Sequence, residues 1–157
     1  GGHRRFARHE VERFARERGI PFVSAQGSGQ ARTLVVDDDP QIRRLLCDFL
    51  STHGVETEIA GDGFEAGFKV ATFHPTVVLL DLKMPGLDSL EVCRRIKADP
   101  STRATRVVFL SGYMNSETRE AMRVAGADLC LEKPLDMALL ASHLELGDAA
   151  LVAEQSR

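Results

Sequence analysis

Apolar residues in the middle of the chain fall into two alternating patterns. Short runs at 33–36, 55–60, 76–80, 107–110 and 128–131 have the length of β-strands. Most of them carry no polar residue at every second position, as expected for strands covered on both faces. Between these runs the apolar positions recur at helical spacing. Ile42, Leu45, Leu46, Phe49 and Leu50 form an i, i+3, i+4, i+7, i+8 stripe. Asp39 is placed to cap that helix and Pro40 suits its first turn. A second helix over about 63–73 is expected to turn Phe64, Phe68 and Ala71 inward. A third, over about 89–98, buries Leu90, Cys93 and Ile96 and ends before Pro100. A fourth, over about 116–125, uses Ala121, Met122 and Ala125 and stops at Gly126. A fifth starts near Leu135 and carries Leu139, Leu140 and Leu144, with Gly147 as its interruption. Strand–helix alternation repeated five times predicts an α/β sandwich around a parallel sheet, with right-handed crossovers.

The polar residues that end the strands bring in chemistry. Val36 runs into Asp37-Asp38-Asp39, Leu80 into Asp81, Leu110 into Ser111, and Leu131, after Glu132, into Lys133-Pro134. A parallel sheet carries these ends to one edge, where ligands of such folds bind, near the switch point. Carboxylates packed together repel and are costly to desolvate without a cation. Mg²⁺ relieves both effects; it takes near-octahedral oxygen ligands at about 2.0–2.1 Å and keeps several waters. Two carboxylates, one backbone carbonyl and waters would suffice. Such an ion lets anionic Asp81 attack an anionic phosphoryl donor. Lys133 is placed to pair with Asp81 at rest and with a phosphoryl oxygen afterwards, and its bond to Pro134 is a place where cis is cheap. Ser111 offers a hydroxyl to the same oxygen. Each residue alone also has a plainer reading: an aspartate as a turn or cap, Lys133 as a surface lysine, Ser111 as a turn serine beside Gly112.

Composition narrows the class. The chain has 157 residues, 43% of them hydrophobic, enough for one core domain and an appendage. No apolar run approaches the roughly 18 residues of a membrane helix, and the first residues do not form a signal sequence. Cys47, Cys93 and Cys130 are odd in number, form no CxxC and sit among apolar neighbours, as buried reduced thiols of a cytoplasmic protein do. The net charge of −3 is uneven: residues 1–30 hold six arginines against three glutamates, and the rest holds 14 basic against 20 acidic groups. The basic part is suited to nucleic acid.

The segment from about 32 to 147 resembles the receiver domain of two-component response regulators. The resemblance rests on Leu34-Val35-Val36-Asp37-Asp38-Asp39-Pro40, Leu79-Leu80-Asp81-Leu82-Lys83-Met84-Pro85-Gly86, Leu110-Ser111-Gly112 and Lys133-Pro134. It implies a five-stranded, doubly wound, flavodoxin-like fold. It implies that Asp81 takes a phosphoryl group from a phosphohistidine on a histidine kinase or phosphotransfer protein. It implies that Asp38, Asp81 and the backbone carbonyl of Lys83 bind Mg²⁺, with Asp37 helping through water. Ser111 and Lys133 become the switch hydroxyl and the phosphate-binding lysine. Three positions depart from the family pattern. Ser89 follows Asp88 where glycine is usual, Cys130 replaces an aromatic that moves with the switch hydroxyl, and Glu132 adds a charge beside Lys133.

The first 19 residues resemble the wing and following helix of excisionase/MerR-type DNA-binding domains, through Gly1-Gly2-His3-Arg4-Arg5-Phe6 and a helix containing Val11-Glu12-Arg13-Phe14. His3, Arg4 and Arg5 are then remnants of a DNA contact. Residues 20–31 read as a linker and 148–157 as a C-terminal extension. Without an initiating Met or a recognition helix, the chain is expected to be a fragment that binds DNA weakly or not at all. The plainer alternative is a solvated arginine-rich helix. The leading expectation is a phosphoacceptor regulator with a DNA-binding output, not an enzyme, that dimerises through the fourth helix, fifth strand and fifth helix. A phosphorylation-independent interaction module stays open because of Cys130. An aspartate-nucleophile phosphohydrolase is disfavoured by Lys at position 83, and a flavin module by the repulsion of phosphate from Asp37-Asp38-Asp39.

Overall fold

The computed structural model describes residues 31–146; residues 1–30 and 147–157, with the expected wing, linker and extension, lie outside the described residues. Five strands, β1 (Arg32–Val36), β2 (Glu56–Ala60), β3 (Val77–Asp81), β6 (Arg106–Ser111) and β7 (Leu129–Glu132), form one parallel sheet in the order β2-β1-β3-β6-β7. A two-stranded ribbon, β4 (Lys83–Met84) with β5 (Leu87–Asp88), follows β3 directly. Pro85 and Gly86 connect the two strands of that ribbon, and Gly86 stands at φ 71°, a left-handed conformation that calls for glycine. The helices are α1 (Pro40–Thr52), α2 (Gly63–Phe73), α3 (Ser89–Ala98), α4 (Ser116–Val124) and α5 (Met137–His143).

The inner strands β1, β3 and β6 are largely apolar because both their faces are buried, and the period of two divides them cleanly. Leu34, Val36, Val78, Leu80, Val107 and Phe109 join Ala66 of α2, Cys93 and Ile96 of α3 and Met122 of α4 in one half of the core. Val35, Val77, Leu79, Val108 and Leu110 join Leu46 and Leu50 of α1 and Leu140 of α5 in the other. Each helix begins on an Asx cap: Asp39, Asp62, Asp88, Asn115 and Asp136 accept from the backbone N–H of Gln41, Glu65, Glu91, Thr118 and Leu139 at 2.7–3.1 Å. The cap at Asp136 moves the start of the fifth helix to Met137, two residues beyond the expected Leu135.

Helix α2 corrects the expected inward stripe. Phe64 is 84% exposed, Phe68 is 59% exposed, and Ala71 is also exposed, whereas Ala66 is buried and Val70 packs beside it. Both stripes have helical spacing. The helix lies close over β1 and β2, and close approach selects the small side chain. Leu45 and Leu139, on the margins of their stripes, are exposed as well. On the outer side, β2 is an edge strand. Its Glu56 N–H and Ala60 carbonyl bond toward β1, so the backbone groups of Ile59 face outward by alternation. Lys69 of α2 reaches across to donate to the Ile59 carbonyl at 2.5 Å and pairs with Glu58 at 3.2 Å.

All three cysteines are free; Cys93 is buried, while Cys47 and Cys130 are half-buried rather than buried as expected. Burial pushes the Cys93 thiol up to about 11, and its S–H faces the Ala125 carbonyl at 3.4 Å. At pH 8 it is therefore a neutral thiol, and alkylation of the native protein with iodoacetamide, followed by peptide mass mapping, is expected to modify Cys47 well before Cys93. Phe109→Ala, in the fully buried centre of the sheet, is expected to lower stability by about 3–5 kcal/mol in urea unfolding. Phe64→Ala is expected to change it by no more than about 0.5 kcal/mol.

Candidate functional site

The strand order reverses at β1, whose neighbours are β2 and β3, and the crevice beyond that point opens at the carboxyl ends of β1 and β3. Asp37 follows the last residue of β1, and its N–H makes a 3.2 Å bond to the Ala60 carbonyl. Its Oδ1 accepts from Asp39 N–H at 2.9 Å, which turns the chain toward α1 and leaves Asp38 on the exposed outside of the bend. Asp81 is the last residue of β3 and only 6% exposed. Lys133 follows β7 and is set in place by its N–H bonding the Ser111 carbonyl at 2.7 Å and by a cis bond to Pro134.

Carboxylate oxygens of Asp37, Asp38 and Asp81 all lie within 4.8 Å of one another. Lys133 Nζ is 2.9 Å from Asp37 Oδ2 and 3.5 Å from Asp81 Oδ1, so at rest it favours Asp37 rather than the expected Asp81. The other donor near the Asp81 carboxylate, the Lys83 N–H, also stands at 3.5 Å. Both Asp81 contacts are long for a buried carboxylate. Burial first, and then the charge of Asp37, raise its pKa above the ordinary value; Lys133 and the Lys83 N–H oppose the shift without cancelling it. Burial works against the Lys133 ammonium, yet the hydrogen bond and charge of Asp37, followed by the charge of Asp81, hold its pKa above the usual lysine value. Among the described residues, the three carboxylates outnumber the Lys133 ammonium that pairs with them.

Asp37, Asp38, Asp81 and Lys133 thus share one pocket, and the Lys83 peptide adjoins it. Ser111 is buried at the same sheet edge, but its hydroxyl donates to the Tyr113 carbonyl at 2.7 Å and accepts from the Tyr113 N–H at 3.2 Å. Cys130 is half-buried and packs against the α2–α3–α4 half of the core. Glu132 is exposed, and the Lys133 ammonium turns to the two aspartates. His3, Arg4 and Arg5 lie outside the described residues.

Three further participants were not legible as such. Arg43 of α1 donates to the Asp37 carbonyl at 2.7 Å, with its guanidinium against Gly61, where a Cβ would meet Nη1 at 3.0 Å. A basic residue beside an apolar stripe, with a glycine at the end of the next strand, is the only signal of that pairing. Ser89 reads in the sequence only as a departure from glycine; it is buried and its hydroxyl donates to the Asp81 carbonyl at 2.7 Å. Tyr113, 61% exposed, lies under the Lys83 ammonium at 5.9 Å from its ring centre.

Comparison with known proteins agrees with this geometry. The family model "Response regulator receiver domain" matches residues 33–145. Protein PilG of Pseudomonas aeruginosa is 34% identical over 109 residues, covering 69% of this chain and 81% of that protein. The DNA-binding response regulator MtrA of Mycolicibacterium smegmatis is 44% identical over 103 residues, 66% of this chain and 44% of its own length. The response regulator MprA of Mycobacterium sp. strain KMS is 38% identical over 113 residues, 72% of this chain and 48% of its length. The chain therefore spans about half the length of these last two relatives. Among solved structures, the signal receiver domain of a DNA binding response regulator (merR) from Colwellia psychrerythraea superposes with a TM-score of 0.72 at 31% identity, over 74% of this chain and 96% of that one. Chemotaxis protein CheY4 of Vibrio cholerae gives 0.71 at 27% identity, over 74% and 98%. With its five-stranded parallel sheet, its acidic crevice and a family match over most of its length, the chain belongs to the response regulator receiver domains.

Proposed function

We propose that this receiver domain is the phosphoacceptor of a two-component pathway, with Asp81 as the residue that carries the phosphoryl group. The observation that carries this reading is the buried Asp81 carboxylate gathered with Asp37, Asp38 and Lys133 at one sheet edge. The donor set suits Mg²⁺: hard carboxylate oxygens on Asp37, Asp38 and Asp81, with the adjacent Lys83 carbonyl as a further oxygen ligand. Bound there, the ion supplies positive charge against the oxygens of the transferring group. Asp81 Oδ attacks the phosphorus of a phosphohistidine; the new O–P bond forms as the P–N bond breaks, and the imidazole nitrogen leaves with its electron pair. Lys133, held by Asp37 within reach of Asp81, steadies the phosphoryl oxygens as charge redistributes. Ser111 releases the Tyr113 backbone to donate to one of those oxygens.

The partner is then a histidine kinase or a histidine phosphotransfer protein in the cytoplasm. The output is transcriptional, through the DNA-binding domain of which residues 1–19 are the end, with homodimerisation through α4, β7 and α5. This part of the reading is supported by the basic N-terminal segment and by relatives whose names describe DNA binding.

Incubation with acetyl phosphate and Mg²⁺ is expected to add one phosphoryl mass, labile to base, to Asp81. Asp81→Asn removes the adduct, and Lys133→Ala slows its formation on the order of 100-fold. An adduct that persists in the Asp81→Asn protein, or none in the wild type, overturns the reading. A pH series of Mg²⁺ titrations provides a second check. Protonated Asp81 is a poor ligand and its pKa is raised, so Mg²⁺ affinity falls on acidification, beginning above the ordinary aspartate pKa of about 3.9.

A further inference from the structure

The loop that leaves Asp81 is closed by a side chain that nothing in the family match assigns. From Asp81 the chain passes through the β4–β5 ribbon, whose last rungs are Met84 with Leu87 and Lys83 with Asp88. Asp88 caps α3, and Ser89 is the first residue of that helix. A serine hydroxyl in a first helical turn ordinarily faces water. Here Ser89 is 2% exposed, and its Oγ donates to the Asp81 carbonyl oxygen at 2.7 Å. The other side of the same peptide unit is held as well, because the Leu82 N–H donates to the Leu110 carbonyl of β6 at 2.9 Å. The plane of the Asp81–Leu82 peptide is therefore clamped from α3 on one side and from the sheet on the other. That plane fixes the backbone from which the Asp81 carboxylate projects and the direction in which the chain continues to Lys83.

We infer that Ser89 is a positioning residue for the phosphoacceptor: its hydroxyl locks the Asp81–Leu82 peptide and so sets the relative placement of the Asp81 carboxylate and the Lys83 peptide. The inference rests on the phosphoacceptor reading given above. Glycine at this position has no side-chain donor, so it cannot make this bond to the Asp81 carbonyl. Serine adds a buried bond whose loss strands a carbonyl acceptor. Its effect falls on preorganisation of the site, since neither Oγ nor Cβ of Ser89 is a ligand or a nucleophile in this scheme.

Three variants in the full 157-residue chain test this: Ser89→Ala, Ser89→Gly and Ser89→Thr. Each is measured by Mg²⁺ titration calorimetry, by the rate of acetyl phosphate modification at saturating Mg²⁺, and by thermal melting. Loss of one buried hydrogen bond corresponds to about a 2- to 10-fold effect. Ser89→Ala and Ser89→Gly are both expected to weaken Mg²⁺ binding and slow modification by that factor while remaining folded at 25 °C. Ser89→Thr, which keeps the hydroxyl, is expected to recover most of both. If Ala and Gly variants melt earlier yet bind Mg²⁺ and react as the wild type does, the bond is only structural and the inference is overturned. Equal behaviour of all four proteins overturns it too. A wild type that neither binds Mg²⁺ nor reacts sinks the phosphoacceptor reading itself, which is a different result from a wild type that works and variants that match it.

Discussion

The structure turns on a charge deficit held at the edge of a parallel sheet. Asp37, Asp38 and Asp81 bring their oxygens within 4.8 Å of one another, and Lys133 pairs with Asp37 and Asp81. Two of the three aspartates are buried, so water does little to relieve their repulsion. A fold optimised only for stability would place neutral or apolar groups at this spot. The cost is carried by the rest of the domain, where the apolar strands β1, β3 and β6 are covered on both faces. The acidic cluster consequently rests on a closely packed support.

Placement of the deficit follows from topology. Because β1 lies between β2 and β3, the helices that leave β1 and β3 depart to opposite faces, and the space between their first turns is left open. Asp37 and Asp81 occupy the two sides of that opening by being the residues at which their strands end. Alternation along the strands then sorts their apolar side chains into the two half-cores. The capping aspartates and asparagine set where each helix begins, and so where each loop of the crevice must turn.

Much of this was legible in the amino-acid order. Runs such as Val77–Leu80 and Val107–Leu110 could be strands only in a sheet covered on both sides, and the polar residue after each run, Asp81 and Ser111, marked the edge. The same reasoning placed Asp37, Asp38, Asp81 and Lys133 in one crevice. What escaped it depended on distances between segments remote in sequence. The facing side of α2 was misread because Phe64 and Phe68 outweigh Ala66 on any hydrophobicity scale, while the close helix–sheet approach favours the alanine. Arg43 and Ser89 act through backbone carbonyls of Asp37 and Asp81, and side chain to backbone bonds leave no periodic trace. The preference of Lys133 for Asp37 over Asp81 is a matter of 2.9 against 3.5 Å, a difference no pattern encodes.

The outer margin of the sheet carries a separate consequence. The Ile59 carbonyl is one of the outward groups that a neighbouring chain would recruit to lengthen the sheet, and Lys69 already occupies it. A sixth strand arriving at β2 would have to displace an ammonium from that oxygen and break its pairing with Glu58. It would then lie along the acidic side chains of Glu56 and Glu58. Self-association by sheet extension is thereby discouraged at this margin.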